Sequence, residues 1–208
     1  MKRLSCVIGL VAAFSSAFAS AQPVAKEEKK AAPLNEIERG FFFEGRGGAF
    51  SIINPPAAAG SPSYFSFGQA LGVDIGVDIG ERLAISLFFM GSANRMGSDY
   101  TGKSTTGLVS GDFGALTPGA AVKVRVVGFD DSQDVKRTWL YVRAAGGVSF
   151  YTPPDLIQMF DVFVSAGPGV EYYTHLRHLV IGLEANFNFF ALTQSFGFSI
   201  LPTVKYAF

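Results

Sequence analysis

Cysteine is nearly missing from this chain, charge is sparse, and no apolar run beyond the first twenty or so residues is long enough to cross a bilayer as a helix. The one cysteine, Cys6, falls inside the apolar stretch of a targeting signal. The exported remainder therefore has none, which excludes a disulfide framework and a cysteine metal site. Cys6 also lies early in that stretch rather than at a cleavage point, which argues against a lipid anchor. Charged residues make up 16% of the chain, against about 25% in a typical soluble domain. Lys+Arg and Asp+Glu are equal at 17 each, and removal of Lys2 and Arg3 leaves the exported part slightly acidic. Nothing here gives an electrostatic case for nucleic-acid binding. A membrane helix needs roughly 20 consecutive apolar residues, so any passage through lipid must be made by strands.

What is present begins with a signal peptide, residues 1–21. Met1-Lys2-Arg3 is its cationic start, residues 4–14 its apolar run, and Ala17-Phe18-Ala19-Ser20-Ala21 its small-residue cleavage site. The expected cut follows Ala21, with Ala19 the alternative. Residues 22–40 are rich in Lys, Glu, Ala and Pro and read as a flexible periplasmic lead with a short helix near 34–39.

From Phe41 the pattern changes to period two, the strand period. Eight segments alternate, at 41–49, 71–79, 83–89, 120–126, 139–150, 160–171, 179–189 and 198–208. One face of each is aliphatic or aromatic. The other carries Gly, Ala, Ser and Phe among scattered charges, a poor coat against water but a suitable filling for a narrow lumen. A soluble lipocalin-like barrel would need the reverse. Connections at 80–82 and 174–178 are short, and those at 51–64 and 92–114 are long, the asymmetry of outer-membrane barrels. The turn at 130–136 is longer, and that at 191–195 shorter, than this pattern prefers. Tyr172, Tyr173, Tyr206 and Phe208 fall near the short-turn end. Phe65, Phe67, Phe150, Tyr151, Phe160, Phe189, Phe190, Phe196 and Phe198 fall near the loop end, as two aromatic belts would. The expected fold is all-β: an eight-stranded antiparallel transmembrane β-barrel over 41–208, in the cell outer membrane, with outer-membrane lipid as its first partner.

The ending Val204-Lys205-Tyr206-Ala207-Phe208 resembles the terminal strand of bacterial outer-membrane proteins. That resemblance implies a C-terminal assembly signal at Val204, Tyr206 and Phe208, read by the barrel-assembly machinery. The whole of 41–208 is similar to the small eight-stranded group that includes OmpA-type and OmpW-type barrels. Phe41-Phe42-Phe43-Glu44-Gly45-Arg46-Gly47-Gly48 and Asn54-Pro55-Pro56 resemble the CglE-like gliding-motility proteins of myxobacteria. This implies a place among other envelope proteins in a motility machine and carries over no functional residue.

The inward faces hold Glu44, Asp74, Asp78, Asp161, Glu171 and Glu184 against Arg46, Lys123, Arg125, Arg143 and Lys205. An eight-stranded barrel is only wide enough for its own side chains, and an unpaired buried ion costs several kcal/mol. The expected outcome is a salt-bridged lumen network that blocks flow; a narrow ion path is the rival. Asp74 and Asp78, in the repeat Gly-Val-Asp-Ile, are four residues apart and so about 13 Å from each other, too far to share one ion. His175 and His178 fall in a short turn with no further ligands evident, so no metal or cofactor is expected. No Ser, His and acid converge as a lipid hydrolase requires. The expected function is a non-enzymatic structural or interaction barrel of the envelope, in a gliding-motility complex by resemblance. The alternative is a narrow channel for small apolar compounds or ions, with a lateral exit at wall prolines Pro118, Pro168 and Pro202. A lipid-modifying enzyme comes third.

Overall fold

The computed structural model describes residues 37–57, 64–103 and 110–208. The expected signal peptide and residues 22–36 of the lead lie outside them, as do the middles of the two long loops.

Period-two alternation produces eight strands in chain order: β1 (Phe41–Ile53), β2 (Phe65–Ile79), β3 (Leu83–Arg95), β4 (Phe113–Asp130), β5 (Lys136–Thr152), β6 (Phe160–Tyr173), β7 (Leu179–Phe190) and β8 (Ser195–Ala207). Each pairs antiparallel with the next, and β8 pairs back on β1 to close the barrel. Closure leaves no unpaired edge, the condition for strands to sit in lipid. Several strands outrun the sequence alternation, β2 by six residues at its start and β4 by seven at its start and four at its end. The reason is local: Gly68, Gln69 and Ala70 on β2, and Gly114 and Ala115 on β4, dilute the apolar signal while the ladder continues through them. The β4–β5 register shifts twice, once where Val126 and Val127 both face outward and again between Phe129 and Asp130. Such a bulge adds one residue to a strand without opening the sheet.

The outer wall is apolar. Leu71 and Leu87, 73% and 70% exposed, stand among Val73, Ile85, Val142, Leu183 and Ile200. Phe41, Phe43, Tyr206 and Phe208 face out at the short-turn end, and Phe65, Phe67, Phe150, Phe160, Phe196 and Phe198 at the loop end. Tyr151, Tyr173 and Phe190, expected in the belts, are buried inside instead. Position along a strand had suggested the belt, but their strand parity turns them into the lumen.

Pro118, Pro168 and Pro202 lie within strands rather than at their ends. Each is paired on one side, with Phe89, Val142 and Leu183, and interrupts the ladder on the other, where it has no N–H to donate. The neighbouring backbones nevertheless crowd together. A Cβ placed on Gly147 would collide with the Pro118 carbonyl, and one on Gly48 with the Ile200 carbonyl. Glycine thus lets the strands close over the missing hydrogen bonds.

The short turns are 80–82, 131–135 and 174–178. Gly80, with φ of 65°, takes the left-handed turn position. The lead expected to be flexible is, at 37–40, tied to this end. Glu38 donates its N–H to the Arg177 carbonyl at 3.3 Å and accepts from Arg177 Nε at 2.6 Å, and the Gly40 carbonyl accepts from Asp78 N–H at 2.8 Å. Residues 37–39 form no helix.

Candidate functional site

The lumen is filled in three layers. At the short-turn end, Trp139, Tyr173 and Val180 pack together with Ile37, and the Arg39 guanidinium lies over the Trp139 and Tyr173 rings at 5.8 and 5.4 Å. Arg39 also pairs with Glu81 at 3.3 Å.

The middle layer is ionic, and ten of the eleven inward charges expected from the sequence meet there. Arg46 on β1 is its centre. Its Nη2 lies 2.6 Å from Asp74 and 3.0 Å from Glu44, and its Nη1 lies 2.7 Å from Glu184. Arg143 on β5 reaches Asp74 at 3.1 Å and Glu184 at 3.8 Å. Lys123 on β4 bridges Glu44 at 3.0 Å and Glu171 at 3.5 Å. Arg125 donates from Nε to Glu171 and from Nη2 to Asp78 at 2.8 Å, and Lys205 on β8 reaches Asp78 at 2.6 Å. Asp74 and Asp78 thus serve different cations, in keeping with their spacing. Neutral groups complete the layer: Ser86, Tyr141 and Asn186 donate to Asp74, Glu184 and Glu184 at 3.0, 3.1 and 3.0 Å. Lys205 and Lys123 lie 4.2 and 4.5 Å from the Phe42 and Tyr141 ring centres. All ten charged side chains are buried.

Asp161 does not join them. It sits at the loop end of β6, far along the strand from Glu171, and accepts from Leu192 N, Thr193 N and Thr193 Oγ1 at 2.7, 3.1 and 2.6 Å. It braces the β7–β8 turn. Without it the six acids become five, Glu44, Asp74, Asp78, Glu171 and Glu184, matching the five bases of the layer.

The third layer, at the loop end, is apolar, and little in the sequence pattern pointed to it. Phe88, Phe163, Phe190, Tyr151, Phe113 and Tyr100 form a relay of rings with successive centres 6.2, 5.5, 6.2, 6.1 and 6.3 Å apart. Loop residues Tyr100, Leu156 and Ile157 are as buried as strand residues. The Tyr100 hydroxyl donates to the Pro56 carbonyl at 2.6 Å, and burial pushes its phenol above the ordinary range. Of these rings, the sequence alternation marked only Phe88 as inward; Tyr151 and Phe190 were expected in a belt and Phe113 in a loop, and Tyr100, Leu156 and Ile157 sit in loops without periodicity, where no comparable signal exists.

The remaining sequence candidates occupy the seam and the turns. Phe208 donates its N–H to the Phe41 carbonyl at 2.9 Å, and its ring meets those of Phe41 and Tyr206 at 5.7 and 4.9 Å. Val204 and Tyr206 face outward on the same strand. His178 contacts the Ala207 carbonyl through Nδ1 at 2.7 Å and stacks on Tyr206 at 5.2 Å, a packing role at the seam.

An apolar wall without a free edge, closed around a polar interior packed with its own side chains, defines an eight-stranded transmembrane β-barrel of the outer-membrane type. No protein-family model and no curated protein matches the chain. Among solved structures it is similar to Neisserial surface protein A (NspA), at 13% identity over 83% of this chain and 100% of that one, with a TM-score of 0.56. It is also similar to the outer membrane protein OprG of Pseudomonas aeruginosa, at 11% identity over 84% and 99%, with a TM-score of 0.48. A third similarity is to Ail, the attachment invasion locus protein of Yersinia pestis, at 14% identity over 81% and 98%, with a TM-score of 0.44. The likeness to NspA is one of fold.

Proposed function

We propose that this barrel is a non-conducting, non-enzymatic structural or interaction component of the cell envelope, its short turns periplasmic and its longer loops outside. The observation that carries the reading is the matched ionic layer, five acids against five bases, stacked between two packed aromatic layers. Ions crossing such a lumen would have to break buried pairs whose partners cannot be rehydrated in place. The lateral-exit channel is opposed by the tight backbone approach at Gly147 and Gly48 beside the wall prolines. The resemblance of residues 41–48 to CglE-like proteins supports a gliding-motility assembly as the setting in which the barrel acts.

Planar-bilayer recording of the purified barrel tests the first part: silence is expected, and steady ion-selective current in the wild type overturns it. Cross-linking in intact envelopes tests the second. A motility component should be captured, and capture of the assembly machinery alone counts against that setting.

A further inference from the structure

The lipid-facing wall departs from apolar in one place. Among the described strand residues, the outward polar side chains of the loop half are Gln69, Arg95, Thr152 and Ser51. Ser51 is covered and uses its hydroxyl on the Phe198 carbonyl at 3.2 Å. The other three are exposed, have no hydrogen-bond or ion-pair partner among the described residues, and border one continuous depression. Gln69 lines each of three adjoining hollows of about 130, 270 and 530 Å³; Arg95 borders the first and Thr152 the last. The floor is shallow because Gly91, Ala93 and Gly114 face outward there with little or no side chain. Phe67 and Leu71 form one bank and Leu116 the other.

A carboxamide on a wall that meets hydrocarbon is left without hydrogen bonds, at a cost of several kcal/mol in apolar surroundings. Arg95 stands directly across from the interfacial Phe67 in the β2–β3 register, which puts its guanidinium at headgroup height. We propose that this groove docks one phosphate-bearing lipid of the outer leaflet. An acyl chain lies over Gly91, Ala93 and Gly114, an acyl ester or amide meets Gln69, and the phosphate meets Arg95. A guanidinium recognises phosphate through paired N–H donors, and a groove of this width between bulky banks suits a hydrocarbon chain. The inference stands apart from whether the lumen conducts.

The full barrel in dodecyl maltoside micelles would be titrated with bis-phosphorylated lipid A and with its dephosphorylated form, and bound lipid counted by native mass spectrometry. One lipid per barrel is expected, with the phosphorylated form favoured about fivefold, the effect of one basic residue beside an anionic lipid (~1 kcal/mol). Arg95→Gln should abolish that preference, lowering binding of the phosphorylated form to that of the dephosphorylated one. Ala93→Phe, which fills the floor, should weaken both forms; should it not fold, Arg95→Gln decides alone. Equal binding of the two forms by the wild type, or a preference that survives Arg95→Gln, overturns the proposal. So does a change in oligomeric state with lipid binding untouched, which would make the groove a contact between copies of this chain.

Discussion

Arg46 carries more of the lumen than any other side chain, since Glu44, Asp74 and Glu184 all converge on it. Arg143 shares two of those acids at longer distances, and its guanidinium also rests over the Phe88 ring at 5.4 Å. The two arginines should therefore differ when truncated. Arg46→Ala leaves three carboxylates facing one another in a dry space and should cost about 3–5 kcal/mol, the range for breaking a buried pair. Arg143→Ala should cost less, because Arg46 still neutralises both of its acids. Urea or guanidinium unfolding from lipid vesicles measures both. Near-zero effects for the two would mean a hydrated lumen, where an ion pair is worth about 0–1 kcal/mol.

At the scale of the element, the turn between β4 and β5 is built around one carboxylate. Asp131 accepts from Gln133 N and Val135 N at 2.7 and 3.1 Å and from Arg137 Nε at 2.7 Å. The Gln133 N–H, then the Val135 N–H and Arg137, hold its carboxyl below the ordinary aspartate range. A depressed folded pKa means the stabilisation is fully present above the unfolded value, about pH 3.9, and is lost as pH falls through the folded one. Acidification from pH 5 towards 2 should loosen 131–135, seen as lost amide-exchange protection at Gln133 and Val135 relative to the intrinsic rate at each pH. Asp131→Asn should already lack that protection at pH 5 and gain or lose little on acidification; an unchanged wild-type protection profile would remove Asp131 as the organiser. This turn was legible only as a longer-than-usual connection, because a run of Asp, Ser and Gln does not announce which side chain folds back. Strand identity was far easier to read: parity alone sorted Leu140 and Val142 outward from Trp139, Tyr141 and Arg143. Tyr151 obeyed the same parity, and reading it into an outer belt put height along the strand above face.

At the scale of the molecule, the pairing of Arg46 with Glu184, 138 residues apart, could not be read in advance. It depends on register accumulated through every intervening turn and two register shifts between β4 and β5. That eleven inward charges would need partners was legible; which partners, and that Asp161 would leave the set, was not. The seam shows the same division. The alternation at Val204, Tyr206 and Phe208 marked an outward face, whereas the hydrogen bond from Phe208 to Phe41 emerges only on closure. Deleting Phe208 removes that bond and two ring contacts. It should lower the heat-modifiable, membrane-inserted population severalfold in cells and leave degraded periplasmic material. Unchanged levels of heat-modifiable protein would show that the ending matters to neither seam nor assembly.

The ionic layer draws on every strand except β3 for its charges, and its two longest reaches, β1 to β7 and β2 to β8, span the chain. Before the last strand arrives, the sheet is therefore a curved ribbon with one oily side and one side studded with mismatched charge. Such a ribbon cannot lie in hydrocarbon, and it cannot shed its inner water either, because Glu184 and Asp78 would lose hydration before gaining Arg46 and Lys205. Drying of the interior and joining of the first strand to the last must then be a single event, so an arrested, unzipped barrel would be a wet one.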